Sequence, residues 1–172
     1  MRTVTEWLIP GRIAGIAAYL LAASSCAVAS VRGRRDKRIS HLAVVLGLLE
    51  TALLFDTAFD WRWKLYLLLR DQAMANQWYD YRRGPQIGML ALLAVLLLAA
   101  IGFARRRYRS VPGALLAIAG ALLSIACWSA EVISLHATDT VLFYQAGPLR
   151  IINYLRALAC LMTAIGIWKA SG

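Results

Sequence analysis

Ionisable side chains stand inside or at the rims of hydrophobic segments, where a charge is costly. A charge in hydrocarbon costs roughly 2.5 kcal/mol or more even on lenient insertion scales. Such residues therefore usually face a protein interior, pair with each other, or take part in chemistry. The residues concerned are Glu50, Asp56, Asp60, Glu131 and Arg156. We expect the functional site to lie where they converge.

A histidine and a further acid follow Glu131 closely and suggest a metal site. Imidazole and carboxylate ligands suit zinc, iron or manganese, and a metal-bound water would be a nucleophile toward a lipid substrate. On this hypothesis His136, Asp139 and Glu131 bind a divalent metal, the only cofactor we infer. Asp56 and Asp60 complete the predicted catalytic set with those three residues. The spacing matches no defined metal motif.

The alternative is that the same charges form interhelical ion pairs that fix the packing of the helices. The basic members would be Arg150 and Arg156, whose guanidinium groups would equally suit a substrate phosphate. Asp56 or Glu131 would pair with Arg156, and Asp139 or Asp60 would pair with Arg150.

Glu50 calls for a separate interpretation because it lies deepest. An α-helix rises about 1.5 Å per residue, which places Glu50 about 13 Å into its span and Glu131 about 28 Å into its own. Arg156 lies about 20 Å from Lys169 by the same measure. Glu50 has no evident partner in the sequence, and a proton or ion relay is the corresponding hypothesis.

The elements that position these residues are predicted to be membrane-spanning helices. The chain has 172 residues, of which 60% are hydrophobic, and a mean hydropathy of +0.61. Its apolar runs match the roughly 20 residues that a helix needs to cross the bilayer core. The fold class is therefore all-α, a polytopic bundle of about five spans in one integral membrane domain, 1–172. The predicted spans are 13–31, 41–60, 86–104, 111–135 and 148–168.

The positive charge predicts the orientation of these spans. The net charge is +10, and nine of the nineteen basic residues fall in the runs 32–38 and 105–109. Both runs lie between apolar spans, which by the positive-inside rule places them in the cytoplasm. The N-terminus would be outside and the C-terminus cytoplasmic, most simply in a bacterial inner membrane. The runs would attract anionic lipid headgroups, and this distribution argues against nucleic acid as a partner.

The predicted external segment 61–85 is rich in aromatic and basic residues. Trp and Tyr concentrate at the headgroup level of membranes, which favours an interfacial helix; docking of a protein partner is the other interpretation. The stretch 48–83 contains neither Gly nor Pro, so the helix of the second predicted span, 41–60, could also continue outward without a break. Ser40 is a candidate N-cap for that helix.

Three function hypotheses follow. The first is a polar, ionisable site on the outer, periplasmic side, built by the second, fourth and fifth spans, that acts on a lipid or lipid-linked substrate. The second is a non-catalytic accessory or assembly subunit held together by ion pairs. The third is transport or relay of a proton or ion through Glu50. Cys26, Cys127 and Cys160 lie in different spans and form no Cys-x-x-Cys pair, which argues against disulfide exchange.

Overall fold

The computed structural model describes residues 10–33, 36–77, 81, 83–133 and 140–172. Within them the protein is an all-α bundle with five helices long and apolar enough to cross a membrane, which confirms the predicted class. The five are α1 Pro10–Arg32, α2 Lys37–Phe59, α4 Arg83–Tyr108, α5 Ala114–Ile133 and α6 Ile151–Ser171. The shorter elements are α3 Trp61–Ala75, β1 Gln145–Ala146 and β2 Leu149–Arg150.

The centre of the bundle is built by α1, α2, α5 and α6. Helix α1 packs against α2 and α6, and α5 packs against α6. The buried positions of these helices are largely small residues, which let the backbones approach closely. Helix α4 packs mainly against α5, and only 6% of its most apolar window is buried.

Two glycines set the contact between α5 and α6. A Cβ atom at Gly120 would lie 2.6 Å from the backbone nitrogen of Thr163, and one at Gly166 would lie 2.7 Å from the Cα of Ala117. Real Cβ atoms do not approach other atoms so closely. The close contact between the two helices therefore requires glycine, which has no side chain beyond hydrogen, at both positions.

Helix α2 ends at a left-handed residue rather than projecting outward. Asp60 has φ 53° and ψ 42°, a conformation that Asp tolerates better than most residues. The chain turns there and restarts as α3, whose first turn bonds back through Trp63 N to Asp60 O at 3.1 Å. Segment 61–85 is thus not a continuation of α2.

The start of α2 also differs from the prediction. Asp36 is its N-cap, whereas the Ser40 hydroxyl donates a hydrogen bond to Ser30 O at 3.0 Å.

A small hairpin precedes α6 and contacts α1. Strands β1 and β2 pair antiparallel, with Gln145 opposite Arg150, around a turn in which Gly147 has φ 68°. Tyr154 of α6 donates a hydrogen bond to Ala146 O at 2.9 Å and holds the hairpin to the helix.

At the other end of the bundle, the guanidinium group of Arg32 lies 4.1 Å from the ring centre of Trp168 and so connects the end of α1 to the end of α6.

Candidate functional site

The centre of the site is one carboxylate shared by two arginines. Glu131, in the last turn of α5, accepts a hydrogen bond on Oε2 from Arg62 Nη1 at 2.6 Å. The same oxygen accepts from Arg156 Nη2 of α6. The side chains of Arg62, Glu131 and Arg156 are 15%, 10% and 5% exposed. Because Arg62 belongs to α3, Glu131 to α5 and Arg156 to α6, these largely buried ion pairs hold the three helices together.

Asp56 joins the network from α2. Its Oδ1 accepts from the backbone N–H of Arg62 at 2.8 Å, and its Oδ2 lies 3.6 Å from Arg62 Nε. The first contact satisfies one of the amide groups that a helix leaves free in its first turn. Asp56 therefore caps α3 and orients the Arg62 side chain toward Glu131.

A second ion pair forms where α1 begins and α2 ends. Arg12 Nη1 lies 3.3 Å from Asp60 Oδ2, and Arg12 also donates to the carbonyl of Ala58. Arg12 thus contacts the last turn of α2 with its side chain. This contact holds the left-handed turn at Asp60 against α1.

These groups line an open cleft of about 410 Å³ at this end of the bundle. Its walls are the starts of α1 and α6, the ends of α2 and α5, the start of α3, and the hairpin. Four of its lining residues are arginines and two are acids. The charged lining residues are Arg12, Asp60, Arg62, Glu131, Arg150 and Arg156.

The described part of the cleft carries an excess of positive charge. With Asp56 included, three carboxylates face four guanidinium groups. Arg150 is the exposed member: it lies in the hairpin, with its guanidinium 5.6 Å from the ring centre of Phe143. Arg156 is buried, and its Nε–H has no hydrogen-bond acceptor among the described residues. The cleft is therefore suited to an anion with acceptor oxygens.

The predicted catalytic and metal residues are brought together only in part. Asp56, Asp60 and Glu131 lie at one end of the bundle, and each contacts an arginine. His136 and Asp139 lie outside the described residues, so the predicted metal site remains a prediction. Across the described residues no group of three or more His, Cys, Asp or Glu is arranged to hold a metal ion.

Two arginines of the site were not among the predicted residues. Arg62 belongs to the segment expected to lie outside the bundle, and the turn at Asp60 brings it back over the helix ends. Arg12 precedes the apolar run of the first span and lies in the first turn of α1. The sequence signal that could have identified both residues is their position within two helical turns of the end of a predicted span. Arg150 lines the cleft without an ion pair among the described residues.

Glu50 lies away from the cleft and is fully buried. Thr163 Oγ1 lies 3.1 Å from Glu50 Oε1, and Cys160 Sγ lies 3.9 Å from Glu50 Oε2. Glu50 thus has polar neighbours on α6 that its sequence did not reveal. The three cysteines are free, buried thiols.

Comparisons of the chain with protein-family models, with curated proteins and with solved structures found no match.

Proposed function

We propose that this protein binds the phosphate of a lipid or lipid-linked substrate in the arginine-lined cleft. The observation that carries the proposal is the convergence of four guanidinium groups on one cleft at the ends of spanning helices. Guanidinium groups recognise phosphate oxygens through paired N–H donors, and they keep their charge at every physiological pH.

The depth of the cleft supports a lipid as the source of the phosphate. The cleft lies where four spanning helices begin or end, which is the level of the headgroups in a bilayer. Trp61 and Phe59 stack beside it with ring centres 6.2 Å apart, and both are about half exposed. Exposed aromatic rings at a helix end are typical of the membrane interface.

The distribution of basic residues supports an outward-facing cleft. Arg32, Lys37 and Arg38 lie where α1 ends and α2 begins, and residues 105–109 lie at the end of α4 next to the start of α5; these are the ends away from the cleft. The positive-inside rule assigns that end to the cytoplasm. We infer that the cleft opens to the periplasmic side of a bacterial inner membrane.

The described carboxylates favour recognition over acid–base chemistry. Asp56, Asp60 and Glu131 each lie within 3.6 Å of a guanidinium nitrogen. A carboxylate in such a contact holds the guanidinium group in place through charge-assisted hydrogen bonds. In this proposal they position the arginines, and hydrolysis of a bound lipid would need His136 or Asp139 in addition.

The binding experiment uses Arg150→Gln and a matched surface control. Purified protein in detergent is titrated with dihexanoyl phosphatidylglycerol by calorimetry. A charge-assisted hydrogen bond contributes about 1.5–3 kcal/mol, so we expect Arg150→Gln to weaken binding about tenfold or more. Arg70→Gln is the control, because the Arg70 side chain is outside the cleft, 39% exposed, and pairs with its neighbour Asp71 at 3.0 Å.

Equal binding by wild type and Arg150→Gln would contradict the proposal. The source of the phosphate is tested by repeating the titration with inorganic phosphate and with dihexanoyl phosphatidylcholine. Tighter binding of phosphatidylglycerol than of inorganic phosphate supports a lipid ligand. Inorganic phosphate binding as tightly as the lipid would overturn the lipid part of the proposal.

Assembly with a partner is the second candidate function, and the position of α4 favours it. The helix packs mainly against α5 and leaves an apolar face exposed, including Leu92, Val95, Leu98 and Phe103. Ion pairs among the other helices would then be structural. Blue-native electrophoresis of gently solubilised membranes tests this: a complex larger than the chain, lost in Val95→Trp but not in Tyr144→Trp, is the expected result.

A further inference from the structure

A second polar site lies beneath the cleft, between α2 and α6. Glu50 and Thr57 are seven residues apart on α2, and Arg156 and Thr163 are seven apart on α6. Residues with this spacing share a helix face, two turns or about 10 Å apart along the axis. Thr57 and Arg156 line the cleft, so Glu50 and Thr163 meet two turns below its floor.

Among the described residues, the side chains that contact Glu50 carry no positive charge. Thr163 and Cys160 contact its carboxyl group from α6. The titratable side chains of α1 on this side are Tyr19, which packs in one cluster with Leu53, and Cys26, which lies beside Gly47; Leu53 and Gly47 are three residues after and before Glu50. Burying an ionised carboxylate without a cation costs several kcal/mol, so this environment favours the neutral acid.

The hydrogen bonds of Thr163 agree with a neutral Glu50. Thr163 Oγ1 lies 3.1 Å from Ala159 O as well as 3.1 Å from Glu50 Oε1. A hydroxyl has one hydrogen to donate, and donation to the carbonyl four residues earlier is common for Thr in helices. When this hydrogen goes fully to Ala159 O, the Thr163 oxygen is free to accept a proton carried by a neutral Glu50.

Buried hydroxyl groups lie between this site and the cleft. Tyr19 is fully buried, and its hydroxyl has no hydrogen-bond partner among the described residues. It packs in one buried cluster with Leu53, which lies between Glu50 and Thr57 on α2, and with Cys160, which lies between Arg156 and Thr163 on α6. Thr57 is also buried, with no partner for its Oγ1 in the described part of the chain. Unsatisfied buried hydroxyls are places where internal water is expected.

We propose that Glu50 is a binding site for one exchangeable proton, reached from the cleft past Thr57 and Tyr19. In the resting protein Glu50 is a neutral carboxylic acid that donates to Thr163. Release leaves the Glu50 carboxylate and transfers the proton to water in the cleft; rebinding reverses the step. This proposal is independent of which anion the cleft holds.

Infrared spectroscopy of the full-length protein in lipid nanodiscs tests it at neutral pH. A protonated carboxylic acid absorbs at higher frequency than a carboxylate, and its band shifts downward in D₂O. We expect this band in the wild type and in Asp71→Asn, which removes an exposed acid, and no band in Glu50→Gln. Absence of the band from the wild type, or its persistence in Glu50→Gln, would overturn the proposal.

Two further measurements keep the test independent of the folding of Glu50→Gln. In Thr163→Val the acid loses its acceptor, so its band should move to higher frequency; an unchanged band would contradict the Thr163 contact. Replacing choline chloride by sodium chloride should leave the band intact. Loss of the band on adding sodium would show that the site binds a metal cation and would overturn proton binding. None of these readouts depends on lipid binding.

Discussion

Arg62 Nη1 lies 2.6 Å from Glu131 Oε2, although Arg62 belongs to a segment whose sequence places it outside the bundle. The contact exists because Asp60 turns the chain and Asp56 caps the helix that follows. It makes Glu131 the common acceptor of two arginines from different helices. The geometry of the cleft therefore depends on the local conformation of one short turn.

Glu131→Gln should lower the stability of the protein strongly. The amide cannot balance the charges of Arg62 and Arg156, and breaking a buried ion pair by removing one member costs about 3–5 kcal/mol. The control Asp71→Asn breaks an exposed pair that contributes less than about 1 kcal/mol. Thermal unfolding in detergent measures both variants. Equal melting temperatures for the two would show that the Glu131 network is not structural.

Asp60 should tolerate Asn better than Ala. Asn adopts the left-handed conformation at little cost, whereas for Ala it costs roughly 1–2 kcal/mol. Both variants remove the charge that pairs with Arg12, while Asn keeps an oxygen that can accept a hydrogen bond from Arg12, so their difference sets an upper limit on the backbone contribution. Melting temperatures of Asp60→Asn and Asp60→Ala give that difference. A less stable Asn variant would contradict the assigned turn.

Gly120→Ala should loosen the crossing of α5 and α6. A Cβ there meets Thr163 N at 2.6 Å, so the helices must separate and lose packing, at a cost of about 1–3 kcal/mol. Gly88→Ala is the matched control, because a Cβ at Gly88 meets nothing within 4 Å. Gly88→Ala should be neutral or stabilising, since Ala favours helix more than Gly does. Thermal unfolding that shows Gly120→Ala at least as stable as Gly88→Ala would contradict the packing.

Single added cysteines should report the inferred orientation. Gln145→Cys, in the hairpin, should react with a membrane-impermeant maleimide added to intact spheroplasts. Ser171→Cys should react only after the membrane is opened. The native cysteines are buried, so the background should be low. The reverse pattern would place the cleft in the cytoplasm.

The helices were predictable because apolar runs of spanning length leave few alternatives. The estimated depth of each residue along its helix also placed Glu131 and Arg156 in the same half of the membrane, and in the structure they form an ion pair. The position of Arg62 in the site was not predictable, because it depends on the turn at Asp60 and no Gly or Pro in the sequence indicates a turn there. The neighbours of Glu50 depend on how α6 is rotated about its axis, which hydropathy does not specify.

The most direct measurement of the central claim is the distance from lipid phosphorus to arginine nitrogen. Solid-state NMR with ³¹P–¹⁵N dipolar recoupling reports it for arginine-labelled protein in phosphatidylglycerol vesicles. The basic runs 32–38 and 105–109 also contact headgroups and give a constant background, so we predict that Arg150→Gln removes the share of the dephasing that comes from the cleft, whereas Arg70→Gln leaves the dephasing unchanged. Dephasing that is the same in wild type and Arg150→Gln, or absent from the wild type, would contradict phosphate binding in the cleft.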